Sequence, residues 1–527
     1  MRLKLLMGGM IAALLWSGGP AFAQKSGGTL RMFHRDNPPS ASIHEESTAS
    51  TVVPFMGLFN NLVRFDPAVA QNSEKSIIPD LAESWSWNAD RTELSFRLHR
   101  GVTWHDGRPF TSRDVECTFN LLTGRAANKL RRNPRGAWYR NINFVNGTGD
   151  HDVTIHLNRP QPALLSLLAS GFTPIYPCHI SPTQMRTRPV GTGPFRLDTF
   201  TPFERIRLVR NPDYWKPGRP YLDGVEFTIV TSPSTALLSF TAGRFDMTFP
   251  WEVSVPQLKD AQRQTSRAVC QITPMNNNTN LLINREAPPF NNPDIRRALG
   301  LAIDRRAFID GLGEGDVGST FQPPAEGMWG LPPDMLAEVP GFGPDIEKNR
   351  EEARALMAKA GYSRERPMTL KVATRGIPLY RAPATILVKQ LKEIHIDATL
   401  DIVETSLWFT RLNRREYSVG VNTTGNGVDD PDQSLYENYA CRSERNYNGY
   451  CNPALERLFD VQSAEADPEK RRRLVWEIDA KLLADGARPP IVWNSAATCW
   501  QPHVKGYVPF VNGMYNGFRF EDVWLDR

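Results

Sequence analysis

Apolar positions along this chain switch between two periods, and the switches mark its elements. In residues 77–122 the alternation Leu94-Ser95-Phe96-Arg97-Leu98, facing a Trp-containing stretch across the polar turn Asn88-Ala89-Asp90, predicts a hairpin. Gly101 and His105-Asp106-Gly107 then lead to a helix. Thr111 stands three residues before Asp114, an approximate capping box, and Val115, Phe119 and Leu122 recur at helical spacing until Gly124. Upstream, glycines precede a strand over 29–33, and Phe55, Leu58, Phe59 and Leu62 predict a helix over 55–66, closed by Asp66-Pro67. Strands are predicted over 153–157 and 281–284, followed by one helix from Asp294 whose Leu299, Ile303, Phe308 and Leu312 form a buried stripe. A helix over 345–360, stopped by Gly361, a strand over 368–374, a helix over 383–394 and strands over 398–403 and 417–422 then alternate as in an α/β unit. A helix over 467–485 buries Leu474, Ile478 and Leu482 and turns Lys470-Arg471-Arg472-Arg473 toward water.

Length and composition narrow the class. At 527 residues, 40% of them hydrophobic, the chain can fill two or more cores. Arg2 and Lys4 precede an apolar run, residues 5–16, too short to span a bilayer, and Ala21-Phe22-Ala23 is a small-x-small cleavage site, so residues 1–23 read as a secretory signal. No Cys follows to accept a lipid and no Arg pair precedes it, which predicts a protein free in the periplasm. The formal charge of +5, +3 without Arg2 and Lys4, carries no basic block, and nucleic acid is not an expected partner. Six cysteines contain no Cys-x-x-Cys, and an oxidising compartment permits disulfides.

Catalytic signatures are missing from the sequence. There is no Gly-x-Ser-x-Gly elbow, and His105-Asp106 lies in a turn, where hydrogen bonding explains it without catalysis. Gly191-Thr192-Gly193-Pro194 lacks the Gly-Lys-Ser/Thr of a phosphate loop, and Gly311, Gly313 and Gly315 follow a helix rather than a strand. His151 and His156 point to opposite faces of a strand, and His34, His44 and His503 have no spacing that fixes a metal geometry. No cofactor is implied, and a secreted hydrolase is the weaker alternative.

The ordered motifs Pro79-Asp80-Leu81-Ala82, Glu83-Ser84-Trp85, Phe96-Arg97-Leu98, Trp104-His105-Asp106-Gly107 and Asp114-Val115 resemble the signature of the family 5 solute-binding proteins of ABC importers. Gly191-Thr192-Gly193-Pro194-Phe195, residues 210–215, residues 221–225 and Ala242-Gly243-Arg244-Phe245-Asp246 continue the likeness in order. The resemblance implies a two-lobed α/β periplasmic binding protein fold (type II, cluster C) with an inserted domain. One lobe would take residues 24–70, 190–275 and 500–527, the insertion 71–189, and the second lobe 276–499. The aromatic tail would pack back onto the first lobe. The implied function is capture of a peptide or peptide-like solute by a monomer that delivers it to an ABC permease and its ATPase. An opine, an oligosaccharide or a nickel chelate in the same fold is the alternative.

The same resemblance picks the site. In dipeptide-binding members an Arg at a strand end takes the peptide carboxylate, and Arg375 falls there, with Trp408 where a pocket Trp is expected. Trp493 is a weaker aromatic candidate. Where the family has an Asp for the α-ammonium this chain has Asn426, followed by Asp429, Asp430 and Asp432. Losing a charge-assisted hydrogen bond forfeits about 1.5–3 kcal/mol, roughly ten- to a hundredfold in affinity for an ammonium group. Either Asp429 replaces the missing carboxylate, or the ligand has no ammonium there and uses Asn426 as donor and acceptor. Cys441 and Cys451 flank a short polar loop and, as the dipeptide-binding relatives resemble this pattern, are expected to be bridged, which would stabilise by about 2.7 kcal/mol. The pairing of Cys117, Cys178, Cys270 and Cys499 stays open.

Overall fold

Three large sheets organise the chain. The computed structural model describes residues 24–527 except 255–256, 259–262, 264–267, 322, 324–326 and 512–516, so the signal expected over 1–23 lies outside the described residues. In the first sheet the order is Thr29–His34, Gly224–Ile229, Arg205–Arg210 and Phe195–Thr201, the first pair parallel and the rest antiparallel. The second runs Ile396–Val403, Met368–Arg375, Val419–Gly425, Val269–Ile283 and Pro490–Trp500. Its first three strands are parallel and its last two join antiparallel. The third, antiparallel throughout, runs Ala82–Trp87, Glu93–Leu98, Asp152–Leu157 and Ile142–Thr148.

Two main apolar cores make the molecule two-lobed. One holds the first and third sheets together with Val504, Phe518, Phe520 and Leu525 of the tail. The other fills the five-stranded sheet, where Val419 and Val421 face Leu281 and Ile283 and the helix Pro378–Leu391 covers them with Ala384, Leu387 and Leu391. Strands Val269–Ile283 and Pro490–Trp500 belong to both: Ala497 and Trp500 lie in the first core, Leu281 and Ile491 in the second. Their register shifts between Pro274 and Asn278, where the pair passes from one lobe to the other. Just before that passage Cys270 and Cys499 stand directly opposite and are bridged, with Cα atoms 4.1 Å apart. Cys117 is bridged to Cys178, and the expected Cys441–Cys451 bond closes its loop.

The signature motifs are structural joints. Asp80 is fully buried and accepts from Asn61 N–H (2.8 Å), Asn60 Nδ2 (3.0 Å), Lys216 Nζ (2.8 Å) and Arg519 Nη1 (2.8 Å). Asp114 accepts from the Thr111 N–H at the start of helix Ser112–Leu122 and from Trp104 Nε1 and the Cys178 N–H. His105 clasps the second landmark: its Nδ1 accepts from the Gly191 N–H and its Nε2 donates to Gly193 O. Burial lowers its pKa to about 4, which keeps the ring neutral for those two roles. A Cβ at Gly191 or Gly193 would lie 1.8 Å from Leu58 O or 2.3 Å from Leu58 C, so only glycine permits this approach.

Two expected helices are corrected. Over 55–66 the chain instead ends a helix Ala49–Phe55, makes one tight turn at Met56–Leu58, extends from Phe59 and forms the strand Val63–Phe65 paired with Ile77–Pro79. All four apolar residues that suggested the helix are buried, but so are Met56, Gly57, Asn60 and Asn61 between them, so their spacing carried no face. The helix expected from Asp294 through Leu312 is two, Pro293–Leu301 and Arg305–Leu312, because Asp304 caps the second by accepting from the Ala307 N–H.

Candidate functional site

One face of the five-stranded sheet is polar and looks across the cleft. Strand alternation puts Arg375, Asn422, Thr424, Asn280 and Asn278 on that face, since Ala373 pairs with Gly420 and Asn280 with Asn422. The run Asn276-Asn277-Asn278-Thr279-Asn280 was the sequence signal for it, because so many buried amides on one strand need partners other than a core.

Arg375 is buried and its Nη2 donates to Asp36 Oδ2 (2.7 Å) and Thr405 Oγ1 (3.1 Å), while Nη1 donates to the Tyr380 hydroxyl (3.0 Å). The guanidinium lies over the Tyr380 ring, 4.6 Å from its centroid. Asp36 follows the first strand of the other lobe, so this ion pair joins the lobes across the cleft. Burial alone would raise the Asp36 pKa, but Arg375, with Arg35 and His34, pulls it down to about 2. Beside it Arg35 pairs with Glu252 at 3.0 Å. Sequence reasoning missed Asp36; the signal it left was the adjacent charges Arg35-Asp36, just past the first strand and before Pro38-Pro39.

Trp408, on helix Thr405–Asn413, joins Arg375 on this face. Its Nε1 donates to Asn422 Oδ1 (3.0 Å) and its ring meets Tyr380 edge-on. Asn426 lies just past the end of the neighbouring strand, its N–H donating to Asn276 O (2.8 Å) and its Oδ1 buried and, among the described residues, without a hydrogen-bond partner. The three aspartates separate. Asp430 caps helix Pro431–Asn438 and takes both Nη atoms of Arg471 (2.9 and 2.8 Å), a structural commitment. Asp432 is held by Gln161, Gln462 and Ser463. Asp429 has its carbonyl tied to Trp329 Nε1 (3.0 Å), and burial and Asp430 push its carboxyl up to about 7. Trp493, on the edge strand Pro490–Trp500, pairs in register with Asn278; its Nε1 donates to Ser319 O (2.9 Å), and its ring packs where Gly318 leaves no room for a Cβ.

The raised Asp429 pKa has a measurable sign. An acid whose folded pKa lies above its ordinary value of 3.8 binds a proton that the unfolded chain has released, so stability falls as pH rises from about 4 to 7. Asp429→Asn should match the parent near pH 4.5 and exceed it in Tm by about 1–3 °C near pH 7.5. Scanning calorimetry of both at the two pH values checks this, and a pH-independent difference would remove it.

A latch closes the cleft on its other side. Gln161 donates to Asp432 (3.1 Å), Trp138 Nε1 to Glu437 Oε2 (3.0 Å), Arg159 to the Tyr436 hydroxyl and Asp460 (2.7 Å each), and Arg140 to Glu456 (2.8 Å) and Asp460 (2.9 Å). Arg445, carried on the Cys441–Cys451 loop, pairs with Glu437 beneath it. At the rim of this seam is a groove of about 860 Å³ lined by residues of both sides, Arg125, Arg140, Arg442 and Glu444 among them.

The histidines considered for a metal are otherwise engaged. His34 Nε2 meets Ser50 O, His44 Nε2 meets Pro174 O and His503 Nε2 meets Asp246, and among the described residues no three His, Cys, Asp or Glu are grouped for a metal.

A family described as bacterial extracellular solute-binding proteins, family 5 Middle, matches residues 76–446. The probable di/tripeptide-binding protein 5 of Pseudomonas aeruginosa (strain UCBPP-PA14) is 26% identical over 478 residues, covering 85% of this chain and 87% of that protein. Among solved structures, the Helicobacter pylori periplasmic binding protein DppA in complex with peptide STSA superposes with a TM-score of 0.82 at 21% identity, over 95% of this chain and 99% of that one. AgaA from A. tumefaciens R10, in complex with agropinic acid, superposes with a TM-score of 0.80 at 20% identity, over 95% and 99%.

Proposed function

Because the chain belongs to the bacterial extracellular solute-binding proteins of family 5, the binding components of ABC importers, we propose that it captures a peptide-like solute in its interlobe cleft and hands it to a membrane permease. Proteins of this family bind and deliver; they are not catalysts. The observation that carries the reading is the Arg375–Asp36 pair, which joins the lobes over a polar sheet face bearing Asn422, Thr424 and Asn426. A closed cleft that buries a solute against such groups gives affinity and a shape a permease can recognise. The matched di/tripeptide-binding relative supports a peptide-like solute.

The lobes divide as 24–70, 190–275 and 500–527 against 276–499, with 71–189 inserted, and the last residues of the strand Pro490–Trp500, from Ala496 on, cross into the first core. In favour of the insertion, the third sheet lies wholly within 71–189 and the latch residues Trp138, Arg140, Arg159 and Gln161 come from it. The engaged histidines weigh against a nickel chelate.

Mass spectrometry of solute released from protein purified from the periplasm, without refolding, tests the reading. A peptide or amino-acid conjugate is expected. A sugar or a metal chelate would overturn the peptide-like assignment.

A further inference from the structure

The polar face continues past Asn280 to a second buried arginine. Asn280 Nδ2 donates to Thr424 Oγ1 (2.8 Å) and Asn278 Oδ1 (2.7 Å), and Asn280 Oδ1 accepts from Arg488 Nε (3.0 Å). Arg488 Nη1 donates to Asn438 Oδ1 (2.7 Å), and its guanidinium lies 5.6 Å from the Tyr447 ring centroid. Its Nη2 is buried and, among the described residues, has no hydrogen-bond partner. The ionisable groups acting on it most strongly are Tyr439, Arg445, Tyr447 and Tyr417, and among the described residues no carboxylate forms an ion pair with it; burial, then Arg445, lowers its pKa.

Charge on this face therefore fails to balance. Arg35, Arg375 and Arg445 each hold a carboxylate, Glu252, Asp36 and Glu437 respectively, whereas Arg488 has only neutral amides. A buried cation without a counter-charge is costly, and an anion brought in by a solute would relieve it. Asn426 is neutral, and Asp36, Glu252 and Glu437 are each already held by an arginine, so none of these groups offers a free carboxylate to an ammonium. Of the aspartates that follow Asn426, Asp430 and Asp432 are taken by Arg471 and its neighbours, and the Asp429 segment is tied to Trp329 through its carbonyl.

We propose that Arg488 is the anion-binding group of the solute site, and that the solute is a peptide-like acid with a carboxylate and no free ammonium, an amino-blocked conjugate rather than a peptide with a free N-terminus. This rests on the reading of the interlobe face as the solute site. Arg375 then serves closure through Asp36, and Asn422 and Asn426 meet amide groups of the solute.

Calorimetric titration with three probes tests it: N-acetyl-Ala-Ala, free Ala-Ala, and the C-terminal amide of N-acetyl-Ala-Ala. N-acetyl-Ala-Ala is expected to bind at least tenfold tighter than either of the others, and Arg488→Gln to lose at least tenfold of that affinity. A second variant guards against misfolding. Asn438→Asp gives Arg488 an internal carboxylate at the oxygen its Nη1 already uses, and the Ser434 hydroxyl can turn to donate to it, so it should lose anion binding to a similar extent without a lower Tm when unliganded. Tightest binding of free Ala-Ala, or full affinity in both variants, overturns the proposal and leaves the peptide-like reading standing. Binding of none of the three overturns both.

Discussion

Arg375→Met is expected to lower affinity for the captured solute by a hundredfold or more while leaving the unliganded protein folded. In the closed form the substitution removes the closest cation from the Asp36 carboxylate, buried between lobes, and leaves it Thr405 Oγ1 (2.9 Å) and the weaker pull of Arg35 and His34. Breaking a buried pair from one side costs about 3–5 kcal/mol, which corresponds to roughly two to three decades in a binding constant. Opening the cleft returns Asp36 to water, so the penalty falls on the closed state, and binding rather than folding registers it. The double variant Arg375→Met with Asp36→Asn removes both charges and should recover much of the loss. Calorimetric titration of the four proteins in this cycle measures the coupling; an unchanged affinity in Arg375→Met would dismiss the pair as a closure contact. The coupling should hold from pH 5 to 8, because the depressed Asp36 pKa makes its contribution complete above about 4 and lost only as pH falls through about 2.

Asp80→Ala is expected to be the most damaging single change to the fold. Its carboxylate accepts from two cations, the buried Arg519 and the half-buried Lys216, from Asn60 and from the Asn61 backbone. Glu521 shares Lys216 and is held by Arg64 and Tyr214, so the network ties residues near 60, 80, 215 and 520 into one joint. Removing Asp80 leaves Arg519 and part of the Lys216 charge uncompensated at a cost of about 3–5 kcal/mol. Thermal melting should show a clear fall in Tm, and Asp80→Asn, which keeps the shape and loses the charge, should fall between. A Tm for Asp80→Ala within a degree of the parent would remove Asp80 from the joint.

Local chemistry was legible where it acts over short range. The hairpin around Asn88-Ala89-Asp90 formed, with Asn88 Oδ1 accepting from the N–H groups of Thr92 and Glu93, and the Thr111 to Asp114 cap opened the helix that Gly124 stops. Parallel strands and their covering helix came out within a few residues, although the helix expected at 383–394 begins at Pro378, which suits a first turn. What failed was periodicity in segments buried on every side, as at 55–66. The site was half legible. Arg375 and Trp408 could be placed by strand and helix order, but Asp36 lies 339 residues from its partner, and no local pattern announces a pair that exists only when two lobes meet. Arg488, set just before two prolines, looks like a loop cation until Asn280 and Asn438 are seen to hold it.

The Cys270–Cys499 bond has a mechanical consequence. It fixes two antiparallel strands at one rung just before they leave the first lobe. Strands tied in this way can twist together but cannot slide past each other, so the passage between lobes behaves as one torsional ribbon. Opening is then confined to rotation about that ribbon, and each closure returns Asp36 and Arg375 to the same registration. The constraint exists only where thiols are oxidised. A copy folded in a reducing compartment would have the same sequence and a looser axle.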